Sequence, residues 1–94
     1  MNYSYTIGKT FSKERWISIY YENAIYEIDG FLELVKKISN NCSDKIKSIG
    51  NNRYKIIGAE LDLIYQYDDL FGMIVEYPDN ITLEKTITFI KKYI

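Results

Sequence analysis

Glu60-Leu61-Asp62-Leu63-Ile64-Tyr65-Gln66-Tyr67-Asp68-Asp69-Leu70-Phe71-Gly72-Met73-Ile74-Val75-Glu76-Tyr77 decides how the chain is read. In its first half Leu61, Leu63, Tyr65 and Tyr67 alternate with Glu60, Asp62, Ile64 and Gln66. In its second half Phe71, Met73, Val75 and Tyr77 alternate with Gly72, Ile74 and Glu76. Side chains along a strand point to opposite faces in turn, so this alternation predicts a β-hairpin turning at Asp68-Asp69. If the apolar faces coincide, Tyr67 faces Phe71, Tyr65 faces Met73, Leu63 faces Val75 and Leu61 faces Tyr77. The same register sets Asp62 opposite Glu76, a like-charge pair that costs up to about 1 kcal/mol. Turn geometry can move this register by two residues without exchanging the faces.

Working outward, Tyr54-Lys55-Ile56-Ile57 is expected to join the sheet, with Gly58 allowing a bend or bulge. Tyr77-Pro78-Asp79-Asn80 reads as a turn. Beyond it a helix starts at Thr82 as N-cap, with Leu83, Ile87, Ile90 and Ile94 as its buried stripe. A helix over 31–39 buries Phe31, Leu34, Val35 and Ile38, capped by Asp29 or Gly30. A short helix after Ser43, with Ile46 and Ile49 inward, would stop at Gly50. Residues 15–28 are open to two readings. Trp16–Tyr21 and Ala24–Ile28 form two strands, favoured by their β-branched and aromatic content, or one helix buries Ile17, Tyr21, Ala24 and Ile28. Tyr3, Tyr5 and Ile7 would add a further strand. The predicted fold class is α+β: residues 1–94 form a single domain, an antiparallel β-sheet with about three helices packed on one face.

Charge is distributed unevenly. Between Lys55 and Lys85 there is no base, but seven acids: Glu60, Asp62, Asp68, Asp69, Glu76, Asp79 and Glu84. Residues 1–55 carry a net +3 and residues 85–94 another +3, leaving −1 overall. A one-sign block costs self-repulsion, and its commonest use is to meet a positive partner. Glu60, Asp62, Asp68, Asp69, Glu76 and Asp79 are therefore the expected partner-binding face. Ten tyrosines, several in or beside the block, suit interfaces as well as cores.

Catalysis finds little support. The chain has no histidine, and its single Cys42 reads as a small half-buried thiol. Paired carboxylates such as Asp62 and Glu76 could hold Mg²⁺ or move a proton, but no calcium-loop, dinucleotide or P-loop motif accompanies them. No enzyme activity, metal or cofactor is expected. Lys45, Lys47, Arg53 and Lys55 form a modest basic cluster that reads as solvated surface, not as a nucleic-acid site. No stretch reaches the roughly 18 apolar residues of a membrane span. Met1–Tyr5 lacks the pattern of a signal peptide, so a cytoplasmic location is expected. Tyr-rich edge strands could support a dimer.

A small acidic-faced domain of this kind suits a stoichiometric inhibitor of a protein with a basic, phosphate-gripping cleft, such as a nuclease. Residues 54–94 resemble the small immunity proteins of bacterial polymorphic toxin systems, especially those of contact-dependent growth inhibition. The likeness lies in Ile57-Gly58-Ala59-Glu60-Leu61-Asp62-Leu63, the Asp68-Asp69 turn, Met73-Ile74-Val75-Glu76-Tyr77 and the helix that follows. These families are diverse and share no invariant motif, so no residue's role is carried over. The resemblance implies a cytoplasmic protein that binds the C-terminal toxin domain of its cognate effector, often an RNase or DNase. The alternative is a regulatory or adaptor module, or a nucleic-acid mimic, with another basic partner.

Overall fold

The computed structural model describes residues 4–21, 27–68, 70 and 72–94. It is α+β, as expected, with two α-helices among the described residues where about three helices were predicted. In chain order the elements are β1 (Tyr5–Phe11), β2 (Trp16–Tyr21), α1 (Glu27–Ile38), a 3-10 turn (Ser43–Lys45), β3 (Ile46–Gly50), β4 (Arg53–Ile56), β5 (Ile64–Asp68), β6 (Gly72–Glu76) and α2 (Leu83–Lys91). The six strands form one antiparallel sheet in the order β1-β2-β6-β5-β4-β3. The chain leaves β2, passes through α1 to the far edge at β3, and meanders back until β6 pairs with β2.

One core lies between the sheet and the helices. Ile17 and Ile19 of β2, Tyr65 of β5 and Met73 and Val75 of β6 meet Phe31, Leu34, Val35 and Ile38 of α1 and Phe89 and Ile90 of α2. The strand contributors occupy alternate positions, as the period of two requires. Burial of such apolar side chains, each worth roughly 1.5–3 kcal/mol, holds the helices to this face.

The hairpin forms, but two residues away from the predicted register. Tyr65 pairs with Val75, Tyr67 with Met73, and Ile64, not Asp62, lies opposite Glu76. The loop closes through Gly72, whose φ of +72° is accessible to glycine at little cost. With the turn centred on position 70, Asp68 pairs with Gly72 and the faces are unchanged. The predicted Asp62–Glu76 repulsion therefore does not arise.

The first helix starts at Glu27, so Asp29 and Gly30 lie inside it and cap nothing. Gly30 is tolerated there, and its carbonyl accepts a 2.9 Å bond from the Tyr5 hydroxyl. Trp16–Tyr21 is a strand, whereas Glu27 and Ile28 are helical. The expected second strand at 24–28 thus fails at its C-terminal end, and residues 24–26 lie outside the described residues, as does Tyr3. The α1 C-terminus unwinds through Asn40 and Asn41, both at positive φ, where Asn41 N–H bonds Lys36 O at 2.8 Å.

The short helix after Ser43 is replaced by the 3-10 turn and β3. Ile46 and Ile49 sit three apart, a spacing that fits one helix face, but Ile49 is 42% exposed. Gly50 opens a tight turn to β4, with Asn52 at φ +54°, and does not end a helix. The C-terminal helix keeps its Thr82 cap, whose hydroxyl accepts from Lys85 N–H at 3.1 Å. Its buried face is rotated from the predicted one: Thr86, Phe89 and Ile90 are buried, while Leu83, Ile87 and Ile94 pack at the core margin.

Candidate functional site

Because both helices pack on one side, the other face of the sheet is turned outward. Pairing places Lys9 and Phe11 of β1 there beside Ser18 and Trp16 of β2, then Ile74 and Glu76 of β6. Gln66 and Ile64 of β5 follow, with Arg53 and Lys55 of β4 and Lys47 of β3 beyond them. Long side chains cover much of this face themselves. Phe11 and Trp16 stack with ring centroids 3.9 Å apart and planes 18° from parallel. Tyr20 lies over Gly8, where a Cβ would fall 1.8 Å from its ring. Ile74 is only 7% exposed although it lies outside the main core. Ser18 is buried, and its Oγ accepts the Lys9 N–H at 2.9 Å.

The acids that are contiguous in sequence separate in space, and most meet a base. Arg53 donates to Glu76 at 2.7 Å, reaching across β5. Lys55 lies 3.5 Å from Asp62, and Arg15 lies 3.4 Å from Asp79. Glu60 turns toward α2, where Lys92 donates to it at 3.0 Å. Asp68 closes the hairpin tip by accepting the Leu70 N–H at 2.7 Å. Asp69 lies outside the described residues. Two of the pairs are largely solvated, with Asp62 72% and Glu60 63% exposed. Each of these contributes about 0–1 kcal/mol and stays open to exchange with another cation, whereas Arg53 and Glu76 are only about one-third exposed.

Three of the predicted residues come together. A cleft of 350 Å³ at one end of the outer face is lined by Asp62 and Glu76, with Glu14, Arg15 and Lys55. Its apolar wall is Ile64, Tyr77 and Pro78. Asp79 stands beside it through Arg15, and Trp16 pairs with Glu76 at its border. Glu60 and Asp68 belong elsewhere, the first lining a separate 470 Å³ groove along α2 with Leu61, Lys85 and Phe89.

Arg15 builds the cleft. It sits in the β1–β2 turn at φ +60°, and its guanidinium donates to the carbonyls of Tyr77, Pro78 and Ile81. The same group lies 4.7 Å over the Tyr77 ring, and Arg15 O accepts Tyr77 N–H at 2.9 Å. The Pro78 turn, already closed by Ile81 N–H donating to Pro78 O at 3.1 Å, is thereby fixed against β2. Sequence reasoning missed Glu14, Arg15 and the Phe11–Trp16 stack. The only signal was a charged Lys13-Glu14-Arg15 run directly before the lone tryptophan.

Two polar atoms stay buried without a hydrogen-bond partner among the described residues, Arg53 Nε and the Tyr65 hydroxyl. Burial, and secondarily Tyr93, pushes the Tyr65 phenol well above the usual tyrosine range. Among the described residues no group of three or more acidic, cysteine or histidine side chains converges as a metal site. No helix among them is long and apolar enough to cross a membrane. Comparison with protein families, characterised proteins and solved structures returns no match for the chain.

Proposed function

We propose that this chain is an immunity protein that binds and neutralises a cognate bacterial toxin domain, with a basic nuclease as the target class. It acts in the cytoplasm by stoichiometric binding, not by catalysis, and needs no cofactor. The observation that carries this reading is the convergence of Glu14, Asp62 and Glu76 on one cleft beside the Phe11–Trp16 stack. An aromatic patch bordered by exchangeable charges has the anatomy of a protein-binding surface, in which Trp, Tyr and Arg dominate the energetics. The resemblance of residues 54–94 to immunity proteins points the same way. Asp79 extends the face from beside Arg15, while Glu60 and Asp68 steer the approach of a basic partner from further off, and Asp69 adds its charge to the same block of sequence.

Cross-strand compensation favours a protein partner over phosphate mimicry. A mimic of nucleic acid must present uncompensated negative charge, whereas Glu60, Asp62, Glu76 and Asp79 each have a base within 4 Å. A pull-down with tagged protein from its native cells, at low and moderate salt, tests the proposal. Recovery of a basic toxin domain, weakened by reversing Asp62, Asp68 and Glu76 to Lys, is the expected result. A partner lacking toxin character, or a loss of affinity matched by an equal loss of thermal stability, would overturn it.

A further inference from the structure

We draw no further inference here: the strongest candidate, the 470 Å³ groove along α2 between Leu61 and Phe89, is rimmed by Glu60, Glu84, Lys85 and Lys92, whose charges balance, and nothing in the structure shows what covers it.

Discussion

The β3–β4 and β5–β6 hairpins are opposites in sequence and neighbours in space. Residues 46–56 carry Lys47, Arg53 and Lys55 and no acid, while residues 64–76 carry Asp68, Asp69 and Glu76 and no base. The antiparallel meander lays β4 against β5, so Arg53 reaches Glu76 and Lys55 reaches Asp62. A charge run along a strand is thus no guide to the sign of a surface until its neighbouring strand is known. What survives of the acidic block as a site is where the fold adds Glu14 and removes Arg15 from competition.

The comparison breaks most severely at Arg15, the base that binds backbone and not only a carboxylate. Arg15→Ala should cost about 3 kcal/mol, since charged hydrogen bonds to three part-buried carbonyls are lost, of which Pro78 O keeps only the Ile81 N–H. Thermal unfolding would register a fall of more than about 10 °C, and a drop of only a degree or two would remove Arg15 as the builder of the cleft. Next come the hairpin glycines. Gly72→Ala forces φ +72° on a residue with a Cβ and should cost about 2 kcal/mol. Gly50→Ala meets only Arg53 side-chain atoms at 3.5 Å and should stay within about 0.5 kcal/mol. Equal costs in denaturant melts would mean that Gly72 does not set the register.

Arg53→Gln tests the cross-hairpin pair. Both partners are about one-third exposed, so a loss of about 1 kcal/mol or less is expected, shrinking in high salt. A loss that is independent of salt would point to packing instead. The smallest effect concerns Tyr65, which shares β5 with the charged hairpin tip. Its phenol pKa is raised in the folded state, so its contribution to stability is full below about pH 10 and falls as the pH rises beyond that. Tyr65→Phe should change stability by no more than about 0.5 kcal/mol at pH 7, because its hydroxyl has no partner to lose, and should flatten the alkaline decline. An unchanged alkaline profile would contradict the burial of that phenol.

The hairpin was legible because its period-two pattern spans two strands and ends in turn residues, and the Thr82 cap because its side-chain chemistry is local. The register was not, since alternation alone does not say where the loop ends, and Gly72 at φ +72° opens β6 opposite Asp68. Ile46 and Ile49 misled because a spacing of three puts two apolar residues on one helix face, whereas pairing with β4 makes the segment a strand and leaves Ile49 exposed. Gly30 looked like a helix start, yet tertiary packing extends α1 through it to Glu27. Of the site, Asp62, Glu76 and Asp79 were accessible from charge alone. Glu14 and Arg15 were not, because the β2–β6 pairing brings them to residues about sixty positions away.

The measurement closest to the central claim is the affinity of the captured partner for two triple variants, each followed by its Tm. One variant carries E14Q, D62N and E76Q in the cleft, the other E60Q, D68N and E84Q outside it. The account predicts a loss of at least about tenfold for the first and near-wild-type binding for the second, with both melting close to wild type. Strong loss from the second with retention by the first would contradict it, returning recognition to the hairpin tip and the α2 flank.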